Sequence, residues 1–365
     1  MRHASKAATR RANRTIRTCA ALAVTLLAAA QAQTQASPAR TQSLKGINLA
    51  GAEFNSRKIP GRYGYDYIYP KASEPPYYAS TGMTVIRQPV LWERLQPTAS
   101  GELSPDELAR LDTAIAANRA SGLSTIIDIH NYGHFQGQLL DAGKATSADF
   151  ADLWRRIATH YARQNDVLFG LMNEPQETDA AAWAATEQQA VDAIRKTDAT
   201  NTILISGIGW DGAWTFIQKN ADALASVNDP LGKTLIELHQ YFDTDGSGTH
   251  STCVAADSAV QRLTPATQWA IANGRKLFLG EFGVPNDSQC LADLDAVLGY
   301  IDQNASAWAG WTYWAAGPIW GHYALSAEPN SGQDSPQMTI MKTHLASPTA
   351  TTQNRATQSA KQAAH

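Results

Sequence analysis

An alternation repeated along the chain restricts its fold more than any other feature. Short apolar runs with β-branched residues recur eight times: KGINLA (45–50), TVIRQPV (84–90), STIIDIH (124–130), VLFGLMN (167–173), TILISG (202–207), TLIELHQY (234–241), KLFLGEF (276–282) and AGWTYW (309–314). Longer stretches with helical spacing separate them, among them SPDELARLDTAIAANRASG, SADFADLWRRIATHYAR, ATEQQAVDAIRKTD and ADLDAVLGYIDQ. Near-continuous apolar strands joined by helices call for a parallel sheet covered on its outer face. Eight such units predict an α/β fold built as a single (β/α)8 TIM barrel. An open doubly wound sheet would normally carry a Gly-rich phosphate loop after an early strand, and the chain has neither a dinucleotide fingerprint nor a Walker motif. Ser104, three residues before Glu107, has the spacing of a capping box, and Leu108, Leu111 and Ile115 give the following helix one apolar face.

The two ends of the chain read differently from the middle. Residues 1–32 have the layout of a secretory signal: a head with Arg2, Lys6, Arg10, Arg11, Arg14 and Arg17, the apolar run CAALAVTLLAAA, and a small-x-small site at Ala30-Gln31-Ala32. The apolar run is shorter than the roughly 20 residues a membrane span needs. A polar segment, 33–43, precedes the expected barrel at 44–345. The tail 346–365 has no aromatic or large aliphatic residue, too little apolar surface to offset the entropy of ordering, and is expected to stay disordered. The chain has 30 basic and 33 acidic residues; without the six basic residues of the leader, 24 face 33. An acidic, exported, monomeric protein is expected, suited to a neutral or cationic substrate and not to nucleic acid or anionic membranes. Cys19 leaves with the signal. Outside the cell the remaining pair, Cys253 and Cys290, reads as one disulfide, with two free buried thiols as the alternative.

Barrel chemistry is built at the C-terminal ends of the strands. There this sequence carries Arg87, His130, Asn173, Glu174, His239, Tyr241, Glu281 and Trp314. Charged groups are costly to bury without partners, so their recurrence at strand ends is not a packing pattern. Glu174 and Glu281, ending strands four and seven, would face each other across the barrel mouth, the arrangement that glycoside hydrolysis requires. One carboxyl protonates the leaving oxygen; the other attacks the sugar at a separation of about 5 Å, or activates water if the gap is wider. Arg87 and His239 would orient Glu281 and keep it ionised, and Tyr241 would donate to it. Asn173 is placed for the sugar 2-hydroxyl, His130 for a neighbouring hydroxyl and Trp314 for the apolar face of a pyranose ring. By the two-residue period, Asp128 and Glu237 lie one layer deeper and hold the two imidazoles. Trp210 and Tyr132 are expected to stack on further sugars. Trp92, Trp183, Trp214, Trp311 and Trp320 are weaker candidates for that role, while Trp154, Trp269 and Trp308 read as helix packing. No H-E-x-x-H is present, and neither metal nor cofactor is expected. The stretch DTDGSGTHST (243–252) starts like a calcium loop but has no Glu at the twelfth position, and reads as a surface loop.

The motifs LMNEPQ, ELHQYFD, GEFG and YWAAG resemble those of family 5 glycoside hydrolases, in particular its secreted endoglucanases, over roughly residues 44–345. The resemblance implies a retaining double displacement on β-1,4-glucan, with Glu174 as general acid/base and Glu281 as nucleophile. It also implies active-site positions at Arg87, His130, Asn173, His239, Tyr241 and Trp314. HQYFDTDGSGTHSTC resembles the cellulase subgroup with a disulfide at that loop, which implies a Cys253–Cys290 bridge. The same chemistry on mannan, xylan or mixed-linkage glucan is the near alternative, and a non-catalytic carbohydrate-binding barrel the distant one. RQP stands where the family more often has RLP or RIP; alternation points Gln88 away from the cleft.

Overall fold

The computed structural model describes residues 43–345; the expected signal, the tail and all but the last residue of the segment 33–43 lie outside them. Eight strands pair in parallel all the way round and close a barrel. They are β1 (Leu44–Leu49), β2 (Val85–Val90), β3 (Ser124–Ile129), β4 (Val167–Gly170), β5 (Ile203–Ile205), β6 (Thr234–His239), β7 (Leu277–Glu281) and β8 (Trp308–Ala316). Long helices follow β2, β3, β4, β6 and β7: Pro105–Ala120, Ser147–Tyr161, Ala180–Arg195, Ala256–Ala272 and Ser288–Gln303. Pro336–Leu345 follows β8, whereas β1 and β5 are followed by short helical pieces, Pro75–Ser80, and Phe216–Lys219 with Ala221–Ala225.

Helix starts follow from side chains that satisfy the free N–H groups of the first turn. Asp179 accepts from Ala181 and Ala182, and Asp287 from Gln289 and Cys290. The capping box anticipated at Ser104 forms only in half. Ser104 accepts from the Glu107 N–H, but the Glu107 carboxylate turns instead to the hydroxyls of Tyr67 (2.8 Å) and Tyr69 (3.0 Å) and to Arg110 (2.7 Å). The reciprocal box occurs at Thr146 and Asp149, where one carboxylate oxygen accepts from the Thr146 N–H and leaves the other to the Ser100 hydroxyl.

Period two along the strands sorts the barrel interior into layers. At the bottom Val85, Ile126, Leu168, Leu204, Leu235 and Phe278 form an apolar plug. Two residues further along the strands come Arg87, Asp128, Gly170, Glu237 and Gly280, and beyond them His130 and His239 at the rim. Gly280 is required by this crowding: a Cβ there would lie 2.0 Å from Glu237 Oε1. Gln88, on the opposite face of β2, is buried and donates to the carbonyls of Leu49 and Pro89, as alternation required.

Three strands end two or more residues before the expected position: β5 at Ile205, β6 at His239 and, with most consequence for the site, β4. β4 ends at Gly170 rather than at Asn173. The chain stays bonded to both neighbours, Leu171 N–H to Leu204 O (3.0 Å) and Asn173 N–H to Ile129 O (2.8 Å), but then turns into the left-handed region at Glu174, φ +47°. Asn173 and Glu174 therefore stand just past the strand, above the barrel mouth.

Cys253 and Cys290 form a disulfide with Cα atoms 5.1 Å apart, which ties the loop after β6 to the start of the helix after β7. It closes a sequence separation of 37 residues. Replacing both cysteines by serine is expected to lower the unfolding free energy by about 2–4 kcal/mol, read as a lower denaturant midpoint for the variant and for the reduced wild type. No change in either would show that the bridge adds nothing.

Candidate active site

Arg87, fully buried, is the hub of the barrel mouth. Its guanidinium reaches Glu281 Oε1 (2.8 Å) and Asp128 Oδ1 (3.1 Å), and its Nε lies 2.8 Å from Glu237 Oε1, an ion pair without good hydrogen-bond direction. It also donates to Asn48 Oδ1 (2.9 Å) and Asn173 Oδ1 (2.8 Å). Burial works against its charge, but Asp128, Glu237 and Glu281 outweigh this and hold the guanidinium more firmly protonated than usual.

Glu174 and Glu281 converge as expected. A carboxylate oxygen of each and a nitrogen of His239 lie within 4.8 Å of one another. The expected partner of His239 was Glu281. Its Nδ1 instead sits 2.8 Å from Glu174 Oε1 and 3.8 Å from Glu281 Oε2, and its Nε2 is 3.4 Å from Glu237. Position explains the difference: Arg87 and the Tyr241 hydroxyl (3.1 Å) already occupy Glu281, which leaves the imidazole to bridge toward Glu174. Burial opposes a charge on His239, yet the surrounding carboxylates, Glu281 and Glu174 foremost, raise its pKa well above the ordinary value. The shift favours the doubly protonated ring, whose two nitrogens face Glu174 and Glu237.

The two glutamates occupy opposite electrostatic environments. Burial raises the Glu174 carboxyl, and the Glu281 charge adds to it against the hydrogen bond from His239. Burial also pushes Glu281 up, but His239, Arg87 and His130 together hold it below the usual range. Such a divergence separates a proton donor from an ionised partner.

His130 stands on Asp128, Nδ1 to Oδ2 2.8 Å, as alternation required, and its ring stacks on Trp314 at a centroid distance of 5.5 Å and an angle of 14°. Its other nitrogen lies 3.4 Å from Asn173 Nδ2. Trp314 is more enclosed than expected, 8 % exposed, with Trp320 edge-on to it. Tyr132 meets both His130 and Trp210 edge-on, at 5.3 and 6.0 Å. The rings of His130, Tyr132, Trp210 and Trp314, with Trp214, Lys219 and the 245–247 loop, line a cleft of about 610 Å³ above the two glutamates. His130 and Tyr132 are also one wall of a second cleft of about 760 Å³, bordered by Arg57, Ile59, His134 and Gln136.

Three of the tryptophans held in reserve as sugar platforms are core residues: Trp92, Trp183 and Trp311 are essentially buried, the first packing on Phe135 and Phe150. Trp320 stacks on Tyr323 at 4.4 Å. Asp243, from the calcium-like stretch, has its carboxylate taken up by the N–H groups of Gly248, Thr249 and His250, the Ser247 hydroxyl and the His250 ring, so it organises a surface loop.

Sequence reasoning missed two supports. Asn48, on β1, braces Arg87 and donates to carbonyls of β7 and β8. Asp211, fully buried, accepts the backbone N–H groups of Glu174 (2.9 Å) and Gly207, and its own carbonyl receives the His239 N–H. Neither has a local signature: Asn48 is one polar residue in a mostly apolar strand, and Asp211 a lone acid in a loop. Four non-glycine residues around the cleft, Tyr132, Glu174, Trp210 and Asp211, have φ between +47° and +62°. Such conformations cost about 1–3 kcal/mol each and persist where surrounding bonds over-determine them.

A closed parallel barrel with two converging glutamates of opposite protonation preference, set under a ring-lined cleft, defines a glycoside hydrolase. The family model described as "Cellulase (glycosyl hydrolase family 5)" matches residues 47–317. A probable endo-beta-1,4-glucanase B of Neosartorya fischeri is 37% identical over 314 residues, 85% of this chain and 94% of that one. An endo-beta-1,4-glucanase from Xanthomonas axonopodis pv. citri superposes with a TM-score of 0.82 at 44% identity, covering 83% of this chain and 98% of the other. The endoglucanase Cel5A of Pseudomonas stutzeri, solved with cellobiose, gives 0.79 at 36% identity, with 83% and 92% covered. This chain belongs to glycosyl hydrolase family 5.

Arg87→Met would leave Asp128, Glu237 and Glu281 buried without their cation. It is expected to lower stability by roughly 3–5 kcal/mol, measured by denaturant unfolding. A loss below about 1 kcal/mol, the scale of an exposed pair, would contradict the hub role.

Proposed function

We propose that the protein is a secreted, monomeric endo-β-1,4-glucanase that hydrolyses internal bonds of cellulose-type glucans with retention of configuration. The observation that carries this reading is the approach of Glu174 and Glu281, with carboxylate oxygens within 4.8 Å. So close an approach of one oxygen from each supports the roughly 5–5.5 Å spacing of a nucleophile and an acid/base over the ~6.5–9.5 Å that seats a water between them. The names of the relatives, endo-β-1,4-glucanases, support the linkage. A related structure in complex with cellopentaose supports a glucan chain as the ligand. The 1–32 segment supports export, and no helix among the described residues is long and apolar enough to cross a membrane.

Glu281, held ionised by His239 and Arg87, attacks the anomeric carbon while Glu174, kept protonated by burial and by the Glu281 charge, protonates the departing glycosidic oxygen. A covalent glycosyl-enzyme forms. Glu174, now ionised, takes a proton from water, which attacks the same carbon and releases Glu281. Asn173, fixed through its oxygen by Arg87, presents its amide N–H₂ to the sugar 2-hydroxyl, and Tyr241 donates to Glu281 until the covalent bond forms. His130, Trp314, Tyr132 and Trp210 bind the sugar rings.

Glu174→Gln should lower kcat on carboxymethylcellulose by roughly 10²–10⁴-fold, and Glu281→Gln should abolish hydrolysis while still binding cellopentaose. Undiminished turnover in either removes that assignment, and mannan hydrolysed as well as β-1,4-glucan overturns the cellulase reading. NMR of the first-formed reducing ends should show the β-anomer; α would mean inversion.

The pair also sets a pH profile of definite sign. Activity rises as Glu281 ionises, below the usual carboxylate value, and falls as Glu174 loses its proton above that value. In Glu174→Gln the alkaline limb seen for the wild type on cellopentaose, whose leaving oxygen needs a proton, should disappear from the residual kcat/KM on the same substrate; a persisting limb would assign it to another group.

A further inference from the structure

The Tyr241 hydroxyl donates to Glu281 Oε2 at 3.1 Å. That is just beyond the roughly 2.5–3.0 Å usual for an O–H···O bond, so a small swing of the ring breaks it. Burial and the Glu281 charge keep the hydroxyl protonated and able to donate. The Tyr241 backbone is held by two donors to its carbonyl, Gln240 Nε2 (2.8 Å) and the Arg262 guanidinium (2.7 Å). Neither fixes the ring. A stretch of main chain seven residues further on does. Gly248, at φ +71°, lies so close that a Cβ there would come within 2.6 Å of Tyr241 Cδ1, 2.8 Å of Cγ and 2.9 Å of Cε1.

The place of Gly248 is set by Asp243, whose side chain is buried although it belongs to a surface loop. Its Oδ1 accepts the Gly248 N–H (3.0 Å). Its Oδ2 accepts those of Thr249 (3.0 Å) and His250 (3.1 Å), with the Ser247 hydroxyl at 3.1 Å and His250 Nδ1 at 2.9 Å. Burial works against its charge, but these bonds, the one from Gly248 foremost, hold the carboxyl below the usual range. The base of the loop is closed by the Val254 N–H on Phe242 O (2.8 Å) and by the Cys253–Cys290 bridge. A loop fixed at both its base and its interior is a firm stop for the ring that packs against it. We propose that the loop 243–252 is a positioning element for the nucleophile: Asp243 folds it so that Gly248 backs the Tyr241 ring and keeps the hydroxyl on Glu281. This rests on the endoglucanase reading and deepens it. Asp243 and Gly248 are positioning residues, and neither lines the cleft. The charged groups that face Glu281, namely Arg87, His239, His130, Glu237 and Glu174, make no hydrogen bond to residues 243–252, so the Tyr241 hydroxyl is the route by which the loop reaches the acid.

The test is a double-mutant cycle on cellopentaose hydrolysis, pairing Tyr241→Phe with Gly248→Ala and with Asp243→Asn. Gly248→Ala drives a methyl group into the ring; Asp243→Asn replaces one accepting oxygen by a donor and loosens the loop. Each should lower kcat about tenfold, the scale of one hydrogen bond to a charged group, and leave KM nearly unchanged. Each should also move the acid limb of kcat/KM to higher pH, because a carboxylate that loses a donor is less readily ionised. Tyr241→Phe should do the same more strongly, and in that background neither loop substitution should change kcat or the limb further. Wild-type kcat and acid limb in the loop variants overturn the proposal. So does a loss that multiplies in full with that of Tyr241→Phe, since the loop then acts elsewhere. Either loop variant decides alone should the other fold poorly. A wild type inactive on cellopentaose sinks the endoglucanase reading and this one with it; an active wild type matched by its loop variants removes this one alone.

Discussion

Everything at the mouth of this barrel depends on one buried cation. Arg87 enters from β2 and touches carboxylates on β3, β6 and β7, an amide on β1 and the amide that follows β4. Three carboxylates buried together would repel one another and protonate. With the guanidinium between them and His239 beside them, Glu237 and Glu281 are held toward the charged form, and the strands that carry the three carboxylates are drawn to a common point. The polar layer is therefore both a structural clasp and the field that lets Glu281 stay charged in a buried place.

The asymmetry between the two glutamates follows from distance to that cation. Glu281 is bonded directly to Arg87, whereas no arginine among the described residues pairs with Glu174. Glu174 instead has burial, the Glu281 charge and a hydrogen bond to His239, and the balance runs toward the protonated form. Its left-handed backbone, locked through its N–H to Asp211, aims a carboxyl that a regular strand would have directed elsewhere. Strained backbone at Tyr132, Trp210 and Asp211 surrounds it. The stable plug of Val85, Ile126, Leu168, Leu204, Leu235 and Phe278 below gives those loops a rigid base.

The sequence displayed much of this because two of its signals are periodic. Residues two apart on a strand share a face, so Asp128 under His130 and Glu237 under His239 were readable without coordinates. Tryptophans have no such rule. Trp92, Trp183 and Trp311 sat near strand ends as Trp210 and Trp214 do, and only packing separated core from cleft. The Ser104–Glu107 pair shows a similar limit: a local cap was specified, but Tyr67 and Tyr69, some forty residues away, offered Glu107 better partners.

The sequence by itself determined the eight strand segments, their inward and outward faces, and the placing of Glu174 and Glu281 near strand ends, since each of these is written in spacing along one segment. It could not determine that β4 stops at Gly170, that His239 bridges to Glu174 instead of binding Glu281, or that Asn48 and Asp211 brace the site. Those were decided by tertiary structure, because each is a competition among partners from different strands for a limited number of hydrogen bonds. Such a competition has an outcome only once ring closure has fixed the distances.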